Sequence, residues 1–458
     1  VNQLIIPGTP LDILTKSIIA MDARGQHLKV LQDYYDGKHR LAFSSEKFRQ
    51  AFGGLFTAFS DNWMPLVVDA VEERLNVEGF RHGSDPASDK DAWEIWQRNG
   101  LDAGSQLTHS SSLTLGDSYV LVWADENGEA RVTIESANDA IIAFSPSNRR
   151  VRASAVKRWK ENGGTFATLF TAEFVYKFFK GEEGFQKGNW VPAPDPDEVW
   201  PIANPLGVVP VVPFVNRPSL NSYFGISEFF NVIPQQDAAN KLLADMLVAS
   251  EFTAFPQRYV TGLDIQEDDQ GNAVAPFQIA IDKILQSENP DTKFGTMAAA
   301  DLTNYIKPIE LLVQHIASQT RTPPHYFYLS GNFPSGDAIK SAETGLVAKS
   351  RRKMRFYGEA WEEVMRLCFA VTGDARSKVM DAETIWGDPE YRSESELADA
   401  LVKRAAIGVP RRQLWEDAGY SQTEISRFHE MELEDSMDSL LAPPTMATVP
   451  KAPIVKMM

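Results

Sequence analysis

One string and three clusters are the places where residue type and spacing could do chemistry. Ser154 and Lys157 form an S-x-x-K string, the spacing by which serine acyl enzymes set an amine beside their nucleophile. That chemistry needs the string at a helix start, whereas VRASAVKRW has the alternation of a strand, and no S-D-N or K-T-G string follows. A serine hydrolase is therefore only a distant alternative. P-loop, H-E-x-x-H and G-x-S-x-G strings are missing, and the seven histidines are scattered without ligand spacing, so we expect no enzyme, no metal and no cofactor. Lys349, Arg351, Arg352, Lys353 and Arg355 make the strongest basic run. It fits DNA or acidic residues of a neighbouring copy, and equally a solvated helix face with partners inside the chain. Asp264, Glu267, Asp268 and Asp269 make an acidic turn, either a contact for a basic partner or a solvated turn. The third cluster, Pro323, Pro324, Gly331, Pro334 and Gly336, fixes or frees φ and removes backbone donors, so a loop is forced there.

Composition bounds what these clusters can serve. The chain has 458 residues, 43% hydrophobic and 23% charged, enough for two or three folded units. A formal net charge of −17 argues against a protein that grips nucleic acid over a large surface, so any DNA contact is local or weak. The single cysteine, Cys368, excludes an intramolecular disulfide framework and suits a reducing compartment, where it packs as a small apolar residue. No run of about 18 apolar residues and no basic-then-apolar start occurs, which leads us to expect a soluble, non-secreted protein without a membrane partner.

The elements that must position the clusters follow from periodicity. Leu14, Ile18, Met21, Leu28, Leu31 and Tyr35 space a helix over 11–35, stopped by Gly37; a second runs from Asp61 to Leu75, and a third from Ser88, its expected cap, to Asn99. From Asp117 the pattern turns to β-branched alternation broken by ENG and ENGG, which predicts two hairpins in a meander. Seven prolines between Pro192 and Pro213 predict an extended connector leaving the sheet. A helix after Gly225, with Phe229, Val232, Gln236, Ala239, Leu243, Met246 and Ser250 inward, ends at Pro256. A small mixed segment then leads to a helix over 301–320, bent at Pro308, and to the forced loop. Beyond it a helix of about 50 Å is expected, capped by Asp337 and stopped by Gly373, with Ile339, Ala342, Leu346, Met354, Tyr357, Trp361, Val364 and Cys368 on its inner face. Short helices from Ser393 and a proline-rich tail from residue 442 complete an α+β chain.

The order of these elements, with LQDYYDGKHRL, GISEFFNVIPQQDAANKLLADMLVASEF and TRTPPHYFYLSGNFPSGDAIKSAETGLVAKSRRKMRFYGEAWEEVMRL, resembles the portal proteins of tailed bacteriophages. The similarity is to the Gp6-type branch as found in phages of actinobacteria, and it spans most of the chain between Leu28 and Val371. It implies a ring, dodecameric in the virion, at one capsid vertex. Through it the terminase large subunit drives double-stranded DNA in, and DNA later leaves toward the tail. By resemblance, residues 1–225 and 337–392 are the wing with its long helix, 226–255 and 298–322 the two stem helices, 256–297 the clip, 323–336 the tunnel loop, 393–441 the crown and 442–458 a flexible tail. The clip acids then meet terminase or a head-completion adaptor, and the major capsid protein surrounds the ring. The location implied is the virion, with a host-cytoplasm stage during assembly. A conduit must let DNA slide, so the loop is expected to approach it with Tyr328, Ser330, Asn332 and Ser335 and the apolar tip Phe333, between the hinges Gly331 and Gly336. The alternative in the same class is a homo-oligomeric virion ring or adaptor that forms no channel.

Overall fold

The computed structural model describes residues 6–42, 61–82, 88–161, 163–182, 188–194, 199–254, 258–262, 290–296, 301–327, 335–390, 394–420 and 422–441. Contacts divide the chain into two compact units. The first takes residues 1–25, 70–226 and 347–458, the second residues 26–69 and 227–346.

In the first unit the start of helix α1 (Pro10–Tyr35) lies on a sheet of β4 (Ala140–Ser145), β5 (Asn148–Glu161), β6 (Gly164–Phe170), β7 (Phe174–Gly181) and β8 (Val191–Pro192), with β9 (Ile202–Ala203) also on β7. Leu14, Ile18 and Met21 meet Ile141, Val156, Leu169 and Phe178 there, so the three- and four-residue steps of the helix match the two-residue step of the strands. A second sheet has the order β10 (Val211–Val215), β2 (Asp117–Ala124), β3 (Ala130–Ser136), and β1 (Val77–His82) pairs with β13 (Ala382–Trp386). Gly128 and Gly163 take positive φ in the two expected turns. Two hairpins were too few, because β4 and the tight turn before Asn148 carry no such signal. The proline-rich connector does not leave the sheets. Its extended backbone returns to pair as β8, β9 and β10.

Helix α2 (Met64–Glu72) is shorter than expected, and α3 (Lys90–Arg98) is capped by Asp89 rather than Ser88. The Asp89 carboxylate accepts from the amides of Asp91 and Ala92 at 3.0 and 3.1 Å. Helix α4 (Leu101–Leu115) has no counterpart in the sequence reading, since LDAGSQLTHSSSLTL lacks an apolar stripe. One side of it is buried all the same, and two of its hydroxyls there find acceptors: Thr108 on the Gly104 carbonyl at 2.8 Å and Ser112 on the Phe214 carbonyl at 2.8 Å.

In the second unit, α5 (Ile233–Ala254) packs on α6 (Thr303–Thr320), with the hairpin of β11 (Arg258–Thr261) and β12 (Lys293–Thr296) between them in sequence. Phe229, Val232, Gln236 and Ala239 are buried as expected, whereas Leu243, Met246 and Ser250 are half-buried. The stop at Pro256 lies outside the described residues. Helix α7 (Gly336–Val371) runs 36 residues, about 54 Å at 1.5 Å per residue, and continues from the second unit into the first. Its cap is Ser335, whose carbonyl accepts from Ile339 at 3.0 Å, not Asp337. Leu346, Met354, Tyr357, Trp361, Val364 and Cys368 form the buried face, but Ala342 is exposed and Ile339 only half-buried. Helices α8 (Glu394–Ala406), α9 (Arg411–Asp417) and α10 (Gln422–Leu441) close the described chain, the first two separated at 407–410 and the second ending before 418–420.

Candidate functional site

The root of the α5/α6 pair is fixed by polar contacts that a period count cannot reveal. The Tyr34 hydroxyl donates to the Asp237 carboxylate at 2.7 Å, the Gln236 carbonyl oxygen accepts from the Trp63 amide at 3.0 Å, and Asn240 accepts from the Asp61 amide at 3.0 Å. Burial pushes the Asp237 carboxyl above its ordinary range, although the Tyr34 bond pulls it down. Farther out the helices keep apolar groups in solvent: Leu247, Ile306 and Leu311 are exposed, as are Tyr259 and Phe294 on the hairpin. Each helix spends one stripe on its partner and leaves these few apolar side chains outside it.

The forced loop leaves α6 through Arg321, at φ 55°, and a 3₁₀ turn over Pro324–Tyr326. Three side chains hold this exit. Phe327 is buried with its ring 5.4 Å from that of Trp63, the Tyr326 hydroxyl donates to Glu343 at 3.3 Å, and His325 Nε2 lies 3.4 Å from the same carboxylate. Ser335 and Gly336 re-enter at the exposed first turn of α7. Tyr328, Ser330, Gly331, Asn332 and Phe333 lie outside the described residues, and so do Asp264, Glu267, Asp268 and Asp269 of the acidic turn.

The basic run divides on α7, in the first unit. Lys349 and Lys353 are buried, at 8% and 5% exposure, and Lys353 donates to the side-chain carbonyl of Asn216. These two were expected beside the arginines and cannot share a surface with them, because they sit on the helix face of Leu346 and Tyr357. Arg351, Arg352 and Arg355 are exposed and, with Ala348 and Phe356, line a shallow hollow of about 450 Å³. Arg351 leans toward Asp388 at 3.7 Å and Glu390 at 3.5 Å, and Arg352 lies over the Phe356 ring at 5.8 Å.

Asn216 belongs to a buried polar knot that the sequence reading missed. It donates to the Ile226 carbonyl at 2.7 Å, while Asp117 accepts from the Gly225 amide at 2.7 Å and forms an ion pair with Arg24, whose guanidinium covers the Phe224 ring at 3.7 Å. Burial raises the Asp117 carboxyl and Arg24 only partly offsets it. The one available signal was an aspartate heading an apolar strand, a placement that requires a partner. The S-x-x-K string fares as its strand context implies. Ser154 is buried on β5, and Lys157 is paired with Glu135 at 2.5 Å.

The profile of the family described as "Phage portal protein, SPP1 Gp6-like" matches residues 16–438. The chain is 28% identical over 459 residues to the portal protein of Mycobacterium phage D29, covering 95% of this chain and 92% of that one. It is 30% identical over 413 residues to the portal protein of Mycobacterium phage L5, covering 85% and 82%. Among solved structures, a chain of the virion of a native gene transfer agent particle aligns with a TM-score of 0.47 at 12% identity, over 88% of this chain and 98% of that chain.

Proposed function

The chain belongs to the SPP1 Gp6-like phage portal proteins, a structural rather than enzymatic family, and from that premise we propose how its parts serve a DNA channel at one capsid vertex. The observation that carries the reading is the family match over residues 16–438, which takes in α5, α6, the loop exit and all but the last three residues of α10. In this reading about twelve copies form a ring. Helices α5 and α6 line up as stems and cover one another's exposed Leu247, Ile306 and Leu311, while the clip between them meets the terminase large subunit and, later, a head-completion adaptor. Residues 1–225 and 337–392 form the wing against the major capsid protein, 393–441 the crown, and 442–458 a tail inside the capsid. The protein assembles in the host cytoplasm and ends in the virion. Its acidity suits a conduit, since a channel wall rich in fixed cations would hold duplex DNA instead of letting it slide.

The tunnel-loop reading draws support from the loop's two ends. Phe327 and the Glu343 contacts anchor one end and the Ser335 cap fixes the other, so a short segment is presented from a firm base. Two experiments test the proposal. Electron microscopy of the purified protein should give rings with an axial hole; compact monomers at high concentration refute it. In a phage complemented by the variant gene, deleting Asn332–Ser335 should leave rings intact while packaged or retained DNA falls, and unchanged DNA content refutes the loop's role.

A further inference from the structure

The structure leaves two exposed helix faces on each chain that are complementary to one another. On α7, Arg351, Arg352, Arg355 and Phe356 share one face, with Phe356 40% exposed. Neither Arg352 nor Arg355 has an ion-pair partner among the described residues. On α10 the first turns are anchored by buried Ile425 and by Phe428, which packs on Trp415 at 5.5 Å and Tyr420 at 5.0 Å. From His429 on, the helix changes character. Met431, Leu433 and Met437 are 53%, 52% and 62% exposed, and Glu430, Glu434 and Asp435 are exposed without an ion-pair partner among the described residues. Glu432 is held by Arg411.

Glu430, Met431, Glu434 and Asp435 repeat on α10 the spacing of Arg351, Arg352, Arg355 and Phe356 on α7, so each face offers charge and an apolar group over about two turns. Two turns of helix whose Met431, Leu433 and Met437 stay exposed gain little stability of their own, and two such acidic faces would repel each other. A basic face carrying an exposed aromatic ring is the surface they fit. DNA suits the α7 face less well: Arg351 is already partly neutralised, and phosphates gain nothing from Phe356.

A closed ring also demands a head-to-tail interface, in which two different patches of one chain meet their complements on its neighbours. Building on the ring reading above, we propose that the C-terminal half of α10 in one copy docks on the Arg352–Phe356 face of α7 in the next. The methionines cover the Phe356 ring, and Glu434 and Asp435 pair with Arg352 and Arg355.

The only native thiol, Cys368, is buried, which makes cysteine cross-linking clean. Full-length Arg355→Cys chains mixed with full-length Met437→Cys chains before assembly should give a disulfide-linked dimer under mild oxidation, and each variant alone should not. Combining both substitutions in one chain should give a ladder of higher multimers. Charge reversal supplies the second arm. R352E/R355E should lower ring concentration about tenfold at fixed protein concentration, and adding E434R/D435R to the same chain should restore it. Rings that form normally with no cross-link and no effect of charge reversal overturn the docking while leaving the ring reading intact. Intact rings whose R352E/R355E variant instead loses duplex-DNA binding assign the arginines to nucleic acid and overturn it too. A wild-type chain that forms no ring sinks both.

Discussion

Two titratable groups in the first unit, one buried and one half-buried, should tilt its stability in opposite directions with pH. His109 is wholly buried between Tyr357, stacked at 5.1 Å, and Trp361, whose indole N–H donates to His109 Nε2 at 2.9 Å; burial pushes the imidazole down to about 3. Between about pH 3 and 6.5 the unfolded chain therefore binds a proton here that the folded chain does not, and stability falls as pH falls through that window. Glu78 on β1 is the reverse case. Burial, and then the negative charges of Glu416 and Asp388, push its carboxyl up to about 7. Between about 4.5 and 7 the folded chain holds the extra proton, so stability falls as pH rises, and the cost is complete above 7. In wild type the two slopes largely cancel between about pH 4.5 and 6.5. His109→Gln keeps an acceptor for Trp361 but does not titrate, so on going from pH 8 to 5.5 wild type should lose about 1.4 kcal/mol relative to it. Glu78→Gln should show the opposite sign: from pH 5.5 to 8.5 wild type should lose about 1 kcal/mol relative to the variant, after discounting for solvent screening of a partly exposed carboxyl. Urea denaturation followed by circular dichroism at fixed ionic strength reads both, and staying above pH 5.5 avoids the isoelectric region near 5.0. Parallel curves for wild type and His109→Gln would refute the buried neutral imidazole, and parallel curves for Glu78→Gln would refute the carboxyl cluster.

Three further outcomes follow from single sites. Arg376 donates to both oxygens of Asp89 at 2.9 Å and to Asp91 and Asp374 at 2.8 and 2.6 Å, so Arg376→Ala removes the one cation these three carboxylates share and, because Asp89 and Asp374 keep backbone amides and Asp91 is exposed, should cost about 1–2 kcal/mol in denaturation; a loss below 0.5 kcal/mol, roughly the scatter of surface changes, contradicts the cluster's importance. Cys368 is buried and its thiol is pushed up to about 12 by burial, so a thiol reagent should label no site in native protein and one site per chain in denaturant. A Cβ on Gly225 would sit 2.1 Å from the Gly116 carbonyl oxygen and 2.5 Å from that of Asn216, both backbone, so Gly225→Ala should abolish soluble expression or sharply lower the melting temperature, whereas Gly128→Ala meets no neighbour within 4 Å and loses only what its positive φ costs.

Helices with a clean apolar stripe were legible from the sequence: α1, α6 and α7 appear where the three- and four-residue steps put them, and α5 does so from Ile233 on, with Phe229 and Val232 ahead of its first turn. Helix α4 was not, because its buried side carries hydroxyls bonded to carbonyls that are distant in sequence or one turn back, and a hydrophobicity pattern cannot register that. The strands β8 to β10 were hidden for a related reason. Proline excludes helix, but it does not exclude an edge strand that uses only its carbonyls. The family was legible because the order of elements survives all these local misreadings. The contacts at the base of the loop were not, since Phe327, Tyr326 and His325 find Trp63 and Glu343 only after the chain has folded.

The basic run is the instructive case, because its division was computable and the chemistry of lysine argued against it. Lys349 and Lys353 stand three and seven residues after Leu346, and Lys353 stands four before Tyr357 and eight before Trp361, all positions of the buried face. Helical spacing alone therefore turns them inward and leaves Arg351, Arg352 and Arg355 outside. The opposing prior, that ammonium groups stay in water, holds only while no acceptor is available inside. Here Asn216 supplies one, and Asn216 is itself fixed by the Ile226 carbonyl and amide. Five cations that look like one patch thus do two jobs. Lys349 and Lys353 turn inward, where Lys353 secures α7 to the segment that leads into α5, and Arg352 and Arg355 stay outside without an ion-pair partner among the described residues. Removing Lys353 should accordingly weaken folding of the monomer, while removing Arg355 should weaken only assembly, and a Lys353→Met variant that folds as well as wild type but fails to assemble would reverse that division.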